Sequence, residues 1–401
     1  MKQKKLMLLG GLRYLIPVIE AAHRLEIHVI TVDYLPNNVA HQYSDEYYNI
    51  SILDKNAVLE LAKTLGIDGI MSFAVDPGVV TAAYVAEKMS LPFQGSYESV
   101  RILQDKALFR DFLAQHGFNV PTAKGYIDID EAIADKGKFN WPVIVKPVDS
   151  AGSKGVSRVE STNDLVAAIN FALSESHSGK FIIEDFLEKE GHSSDTDCFS
   201  IDGDLVYCSF SDQLFDYKAS NPYTPAAYTW PSSMPEWAKE ELKSELQRLI
   251  NILNLSTGIF NIETRLCSNG KPYIMEFTPR GGGNRLAEML DIATNSVLIE
   301  NSVRAAVGLT LLPMKSPDYE GHVAEVILHS EKNGVFEKLK ISEDIRPYVI
   351  QTDLWVKAGD SVRDFSGANN AIGTLVLRFP TKDNIESKLS SISDWCNVIV
   401  K

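Results

Sequence analysis

The chain has 401 residues, of which 45% are hydrophobic and 23% are charged. These proportions exclude a disordered or fibrous protein and predict about two or three domains with hydrophobic cores. Acidic side chains outnumber basic ones by 53 to 39, and the net charge of -14 disfavours nucleic acid and anionic membrane surfaces as partners. No stretch approaches the ~18 to 20 apolar residues of a membrane span, so we expect a cytoplasmic protein.

Residues 1–95 alternate short apolar segments with amphipathic ones, which predicts a parallel α/β domain. The Gly10-Gly11 turn lacks the G-x-G-x-x-G pattern of dinucleotide-binding folds, so an NAD-dependent dehydrogenase is disfavoured. A small-substrate site at the strand ends and a plain structural turn are both compatible with this segment. The predicted strands are Lys5–Leu9, His28–Val32 and Gly69–Phe73, and the next helix is predicted to have Asp76 as its cap and Pro77 at its first position.

Further along the chain, a short apolar strand ends at Lys146 and is followed by a loop that contains Gly152, Ser153 and Gly155. Successive backbone N–H groups in such a loop can bind an anion, and a lysine at the strand end can neutralise a phosphate. The loop is not a P-loop, because G-x-x-x-x-G-K-[ST] is absent. A simple hairpin turn would have the same composition, but the earlier Asp105-Lys106 helix start favours the phosphate interpretation.

Two apolar segments near residues 260 and 275 are joined by Asn269-Gly270, a strong short-range hairpin signal. If these two residues form the loop, Glu263 lies directly opposite Glu276, and Asn261 lies opposite Thr278. Like charges that face each other across a sheet are destabilising, so the two carboxylates predict a cation between them, and Mg2+ fits. The alternative is a solvated hairpin with two surface glutamates.

Together, these features resemble the ATP-grasp superfamily, and the resemblance runs through most of the chain. The matching segments are Asp105–Arg110 for D-K-x-x-x-[KR], Lys146 and Gly152–Gly155 for the strand lysine and phosphate loop, Ile183–Leu187 for the V-E-E-F-x hinge, and Glu263, Glu276, Thr278 and Arg280 for E…E-x-N-x-R. The resemblance implies that ATP phosphates contact Lys106, Lys146, Gly152 and Ser153, that adenine contacts Glu184, Phe186 and Leu187, and that ribose contacts Asp195.

The same resemblance implies a metal site and a catalytic arginine. Glu263 and Glu276 would bind one or two Mg2+ ions, with Mn2+ as an alternative, and Arg280 would hold the transferring phosphoryl group. Thr278 stands where the superfamily has asparagine. Three alternatives remain open: the threonine hydroxyl serves as a ligand, the cross-strand Asn261 compensates for it, or one of the two ions binds weakly.

The implied fold class combines α/β and α+β architecture. We expect an N-terminal parallel α/β domain over 1–95, a two-lobed ATP-grasp domain over 96–312 with its lid lobe at about 118–187, and a small β-rich C-terminal domain over 313–401. Helices are predicted near 105–116, 163–173 and 236–253, and Asn333-Gly334 predicts a hairpin in the C-terminal domain.

The N-terminal domain and the β-rich tail are similar to the branch of L-amino acid ligases and related carboxylate–amine ligases. This resemblance implies an enzyme that forms an amide or peptide bond through an acyl phosphate, releasing ADP and phosphate, with an amino acid as a substrate. Its partners would be a small carboxylate and a small amine, and a homodimer is the superfamily-level expectation. The alternatives are a carboxylase or transformylase of the purine-biosynthesis type and a nucleotide-binding module without turnover.

Overall fold

The computed structural model describes residues 3–150 and 152–401. The first two residues of the predicted N-terminal domain, and Ala151 beside the predicted phosphate loop, lie outside this part of the chain. The strands are, in chain order, β1 (Lys5–Leu9), β2 (His28–Val32), β3 (Glu46–Tyr48), β4 (Gly69–Ser72), β5 (Ala123–Tyr126), β6 (Val143–Pro147), β7 (Ser157–Val159), β8 (Phe181–Asp185), β9 (Ser194–Ile201), β10 (Asp204–Cys208), β11 (Asp212–Phe215), β12 (Pro225–Trp230), β13 (Gly258–Leu266), β14 (Pro272–Thr278), β15 (His322–Leu328), β16 (Gly334–Ile341), β17 (Val349–Leu354), β18 (Ser361–Val362), β19 (Gly373–Phe379) and β20 (Cys396–Val400).

The helices follow the amphipathic segments of the sequence, and the predicted helices near 105–116, 163–173 and 236–253 are confirmed as α5, α7 and α8. In chain order, the helices are α1 (Ile16–Arg24), α2 (Lys55–Leu65), α3 (Asp76–Met89), α4 (Tyr97–Gln104), α5 (Lys106–Gln115), α6 (Ile129–Ala134), α7 (Leu165–Ser174), α8 (Glu236–Ile252), α9 (Leu286–Thr294), α10 (Leu298–Ala306), α11 (Lys382–Leu389) and α12 (Ile392–Trp395). None of the helices within the described residues has the length and apolar character of a membrane span.

The N-terminal part of the chain forms the predicted parallel sheet, with the strand order β3-β2-β1-β4. The predicted strand β4 ends one residue earlier than expected, at Ser72. Asp76 is the first residue of α3 rather than its cap, which is Val75, and Pro77 is therefore the second residue. The Asp76 side chain is consequently available for contacts other than capping.

The two lobes of the expected ATP-grasp domain are built from antiparallel sheets. The lid lobe has the order β5-β8-β6-β7, and apolar residues of α6 and α7 cover one face of this sheet. The second sheet has the order β10-β9-β13-β14. Buried residues alternate with partly exposed ones along β13, so Asn261, Glu263 and Arg265 share one face.

The β13–β14 hairpin has the predicted register at the glutamates, but it reaches this register in a different way. Glu263 pairs with Glu276 and Asn261 with Thr278, as expected. The predicted two-residue loop is wrong, because Cys267 N–H donates to Lys271 O (3.0 Å) and Gly270 has a φ of +74°. A β-bulge that leaves Met275 without a partner on β13 then shifts the register by one residue. The two deviations cancel at the glutamates.

The described chain divides into two compact units. The first contains the described part of Met1–Glu190 with Thr196–Ser209 and Pro235–Pro317, and the second contains Gly191–Asp195, Phe210–Met234 and Asp318–Lys401. The proposed division into domains 1–95, 96–312 and 313–401 stays a prediction.

The second unit is rich in β-structure, as expected for the C-terminal part of the chain. Its sheets have the orders β11-β12-β15-β19-β17 and β18-β16-β20, and they share an apolar core. The hairpin predicted at Asn333-Gly334 is wrong, because β15 and β16 belong to different sheets. Gly334 is instead the first residue of β16, where its lack of a side chain leaves room for Lys401 O.

Gly10 provides a test of how tightly the loops after β1 and β4 pack. Its φ is +111°, and a Cβ at this position would lie 2.6 Å from Val75 Cγ2. Gly66 also has a positive φ, +60°, but a Cβ there would meet no described atom within 4 Å. We expect Gly10→Ala to lower the free energy of unfolding by about 1–3 kcal/mol more than Gly66→Ala, as measured by urea denaturation. Equal losses would contradict close packing at Gly10.

Candidate active site

The two glutamates of the β13–β14 hairpin form the acidic part of the candidate site. Burial and the facing carboxylate of Glu276 raise the pKa of Glu263. Burial alone would raise the pKa of Glu276, but the nearby cations Lys106 and Lys146 outweigh this effect and lower it. Lys106 Nζ lies 3.2 Å from Glu276 Oε1. The pair therefore has the predicted geometry, and a lysine supplies part of the positive charge that it requires.

Lys106 is held in this position by the start of α5. The Asp105 carboxylate caps the helix by accepting hydrogen bonds from the N–H groups of Ala107 (2.9 Å) and Leu108 (3.1 Å). Lys106 Nζ also donates to the carbonyl oxygen of Ser150 at 3.1 Å. Burial alone would lower the pKa of Lys106, but the carboxylates of Glu276 and Asp76 raise it. The lysine is therefore charged and points towards the glycine-rich loop.

A second group of charges is formed by two residues of the lid sheet β5-β8-β6-β7 and one residue of α5. Lys146 Nζ is 2.5 Å from Glu184 Oε1, and Arg110 Nε is 3.0 Å from Glu184 Oε2. All three side chains are buried. Burial alone would raise the pKa of Glu184, but Lys146 and Arg110 together lower it to about 2. Both expected phosphate lysines, Lys106 and Lys146, are thus paired with carboxylates.

Arg110 also connects the lid sheet to the hairpin. Its NH1 donates to the carbonyl oxygen of Met275 at 2.8 Å. Met275 is the residue that the β-bulge leaves without a partner on β13, so this bond satisfies a carbonyl at the irregular position. The arginine of the D-K-x-x-x-[KR] segment therefore stabilises the register that brings Glu263 opposite Glu276.

Arg280, the expected catalytic residue, is buried next to the N-terminal sheet. Its Nε and NH2 donate to Asp76 Oδ1 at 2.9 and 2.6 Å, and its NH1 donates to Gly281 O at 2.9 Å. A Cβ on Gly281 would lie 2.3 Å from the Phe73 ring, which explains glycine there. Sequence reasoning placed Asp76 only at a helix start. Its position just beyond the carboxyl end of β4 is the signal that marks it as a site residue.

Three residues of the glycine-rich loop have positive φ values. Gly152, Ser153 and Gly155 have φ values of +68°, +58° and +69°, a region that serine adopts only at a cost. Gly152 is exposed, whereas Gly155 is buried against Glu175 and Pro147. The structure places this loop directly after Lys146 and β6, as the sequence predicts.

The hinge segment after β8 runs alongside the end of the β13–β14 hairpin. Glu190 N–H donates to Leu266 O, and Ser268 N–H donates to Glu188 O, both at 2.9 Å. Arg265 NH1 donates to Leu187 O at 3.3 Å. Among the described residues, no hydrogen-bond partner is found for the Leu187 N–H or the Phe186 carbonyl group. One donor and one acceptor on adjacent residues therefore remain for a ligand.

The remaining predicted residues, Asp195, Thr278 and Asn261, are placed as follows. Asp195 lies in the second unit and accepts a hydrogen bond from Tyr228 OH at 3.1 Å, and its role at ribose stays a prediction. Thr278 is buried opposite Asn261. Asn261 Nδ2 donates to Thr196 O at 3.0 Å and to Asp197 Oδ1 at 3.3 Å. Asp197 Oδ1 also accepts the Gly282 N–H at 2.9 Å, so Asn261 belongs to the network that supports the glycine turn after Arg280.

The donor set at the hairpin fits Mg2+. Two carboxylates on one sheet face offer the hard oxygen ligands that this ion prefers. Within residues 3–150 and 152–401, no group of three or more His, Cys, Asp or Glu side chains could hold a metal ion by itself. The remaining ligands would therefore come from water and from a bound phosphate, which is the usual arrangement for Mg2+ at nucleotide sites.

The buried charge cluster between the lid sheet and α5 predicts the effect of one substitution on stability. Arg110→Met leaves Glu184 with one of its two cationic partners, and it also leaves Met275 O without its donor. We expect the free energy of unfolding to fall by about 3 kcal/mol or more. Removing one partner of a buried ion pair leaves the other charge buried without full compensation. The matched control is Arg101→Met, whose exposed pair with Glu98 should contribute less than about 1 kcal/mol. If urea denaturation showed equal losses of unfolding free energy in the two variants, the buried cluster would not stabilise the fold more than an exposed ion pair does.

The low pKa of Glu184 adds a pH dependence to this prediction. Because the folded-state pKa, about 2, lies below the unfolded value, the ionised carboxylate stabilises the fold at neutral pH. This contribution should decline as the pH falls from the ordinary glutamate pKa of 4.5 towards about 2. In Glu184→Gln, the acid-induced loss of stability in this window should be smaller than in the wild type. Parallel stability curves for the two proteins would contradict the pKa shift.

Comparison with known protein families gives a match over the part of the chain that contains most of the candidate site residues. Residues 139–288 match the model of the ATP-grasp domain. The chain is 27% identical over 287 residues to the formate-dependent phosphoribosylglycinamide formyltransferase of Prochlorococcus marinus, an alignment that covers 69% of this chain and 70% of that protein.

Solved structures show the same fold over the full length. The L-amino acid ligase of Bacillus licheniformis is similar with a TM-score of 0.81 at 19% identity, and all of both chains is covered. The N5-carboxyaminoimidazole synthetase of Staphylococcus aureus complexed with ADP has a TM-score of 0.76 at 15% identity, covering 98% of this chain and 97% of that chain. These likenesses establish the architecture. The domain match shows that residues 139–288 contain an ATP-grasp domain, and ATP-grasp enzymes use ATP with Mg2+.

Proposed function

We propose that this chain is an Mg-ATP-dependent carboxylate–amine ligase that activates a carboxylate as an acyl phosphate and joins it to an amine, with an amino acid as one substrate. The observation that carries the proposal is the convergence of Lys106, Lys146, Glu263 and Glu276 within one compact unit. Phosphoryl transfer depends on charge neutralisation and positioning more than on covalent chemistry. This cluster offers the required charges without a nucleophilic side chain.

The hinge supports ATP as the nucleotide. Leu187 N–H and the Phe186 carbonyl have no hydrogen-bond partner among the described residues, and the edge of adenine presents a matching acceptor and donor. Lys106 and Lys146 would bind the phosphates, exchanging part of their present contacts with Glu276 and Glu184 for phosphate oxygens. The Gly152–Gly155 loop would close over the phosphates and exclude water, which protects an acyl phosphate from hydrolysis.

Glu263 and Glu276 would hold Mg2+, which would supply charge neutralisation on the phosphate oxygens of ATP. Arg280 would bind the transferring phosphoryl group, and Asp76 orients its guanidinium through two hydrogen bonds to one carboxylate oxygen. The Gly281–Gly283 turn would let the backbone approach the reacting carboxylate. The acceptor amine then attacks the acyl phosphate, and phosphate leaves.

A second candidate function is favoured by the similarity to the formate-dependent formyltransferase, which covers 69% of this chain. In that case the activated carboxylate would be formate or bicarbonate, and the acceptor would be a nucleotide precursor. Thr278, in place of the asparagine found in the superfamily, leaves open a third candidate, a nucleotide-binding module without turnover.

The direct test measures ADP and phosphate release from Mg-ATP across a panel of amino acids, singly and in pairs, with formate and bicarbonate as separate additions. Release that requires two amino acids, with mass spectrometry of the dipeptide, would establish the proposed ligase. Release that requires formate or bicarbonate would establish the second candidate instead. Tight ATP binding without release under any of these conditions would contradict turnover with the substrate classes tested.

The proposed roles also predict which substitutions stop catalysis. Lys146→Ala, Glu276→Ala and Arg280→Ala should each lower kcat by about 100-fold or more, because each removes a charge that stabilises the transition state. Lys63→Ala is the control, since this lysine is exposed on α2 and pairs with Glu60 at 2.8 Å. Circular dichroism verifies that each variant is folded. Wild-type turnover in a folded Glu276→Ala variant would contradict the metal assignment.

A further inference from the structure

Arg265 is a partly buried arginine that the functional roles above do not include. It lies on β13 two residues after Glu263, on the same face of the sheet, and its side chain is only 20% exposed. Its NH1 donates to the hinge carbonyl of Leu187 at 3.3 Å, and its NH2 lies 3.6 Å from Glu263 Oε1. One guanidinium group thus contacts both the hinge and a glutamate of the hairpin.

The two contacts reach different parts of the candidate site. The Leu187 carbonyl follows directly after the Leu187 N–H and the Phe186 carbonyl, the groups proposed to bind the base. Glu263 is proposed to bind the metal ion beside the phosphates. Because the guanidinium group is planar and rigid, a shift of one contact moves the other, which a flexible lysine would not reproduce.

The positive charge of Arg265 makes its two contacts sensitive to a metal ion bound at Glu263. Arg265 NH2 lies 3.6 Å from Glu263 Oε1, so its positive charge attracts the Glu263 carboxylate. A divalent ion at Glu263 would take over this role and weaken the attraction between Glu263 and Arg265. Arg265 NH1 could then hold the Leu187 carbonyl more firmly, and the hinge peptide would be fixed in the orientation that the base requires.

We propose that Arg265 is a positioning residue that couples nucleotide binding at the hinge to metal binding at Glu263. This inference rests on the proposed function, because it assumes that both sites belong to one Mg-nucleotide. By thermodynamic linkage, the metal would tighten nucleotide binding through Arg265, and the nucleotide would tighten metal binding by the same factor. Arg265 would set the size of this factor rather than contact a reacting atom.

The test measures ADP binding by titration calorimetry in the presence of Mg2+ and in the presence of EDTA. The ratio of the two dissociation constants gives the coupling between metal and nucleotide. In Arg265→Met we expect this ratio to fall by about fivefold or more, the lower end of typical coupling factors. Arg265→Lys keeps the charge but loses the rigid fork, so its ratio should also fall. A ratio equal to that of the wild type in folded variants would overturn the proposal.

The control is Arg248→Met. Arg248 also bridges a backbone carbonyl and a glutamate, donating to His116 O at 2.8 Å and to Glu245 Oε1 at 3.1 Å, but it contacts no residue assigned to the site. Its ratio should match the wild type even if its stability falls. If Arg265→Met does not fold, Arg265→Lys decides the outcome. A wild type that binds no ADP under either condition would contradict the proposed function itself, whereas an unchanged ratio contradicts only the role of Arg265.

Discussion

Two glutamates that face each other across a hairpin require positive charge nearby, and much of this site follows from that constraint. Glu263 and Glu276 pair directly on one face of the sheet, where like charges are destabilising. Lys106 lies 3.2 Å from Glu276, and Arg265 lies 3.6 Å from Glu263. The protein thus partly compensates the pair with its own cations. Each of these cations also contacts another part of the site: Lys106 donates to Ser150 O next to the glycine-rich loop, and Arg265 donates to Leu187 O in the hinge. The carboxylate pair therefore connects the loop and the hinge through these two side chains.

A second group of charges stabilises the hairpin register in which the two glutamates face each other. Glu184 holds Lys146 on the lid sheet and Arg110 on α5, and Arg110 reaches the bulged residue Met275 of the hairpin. The bulge is what restores the pairing of the two glutamates after the irregular loop. A buried cluster of this kind is costly to desolvate, and its cost is consistent with a role in placing functional groups rather than in stability alone.

The sequence predicted the residues whose chemistry depends on local pattern. Strands β1 and β2 were exact, because short apolar runs between turns define buried parallel strands. The opposition of Glu263 and Glu276 was correct, although the loop has three residues and the bulge cancels the error. Neither deviation leaves a mark in the hydrophobic pattern, because a bulge adds one residue without changing composition.

Residues that act across long sequence separations could not be predicted in the same way. Asp76 reaches Arg280 from a different domain of the predicted architecture, and Asp197 meets the Gly282 N–H from another strand. In the sequence, Arg265 is an ordinary polar residue of an alternating strand pattern. Only the structure shows that it contacts the hinge. Such contacts depend on how sheets and loops meet in three dimensions, for which spacing along the chain carries no information.

We propose that these charges form one Mg-nucleotide site. A crystal structure of the chain with Mn2+ and a non-hydrolysable ATP analogue tests it most directly, because the anomalous signal of Mn2+ locates the metal. We expect metal density between Glu263 and Glu276, with phosphate oxygens on Lys106 and Lys146 and the base at the Leu187 N–H. Nucleotide bound elsewhere, or metal that does not contact either glutamate, would contradict it.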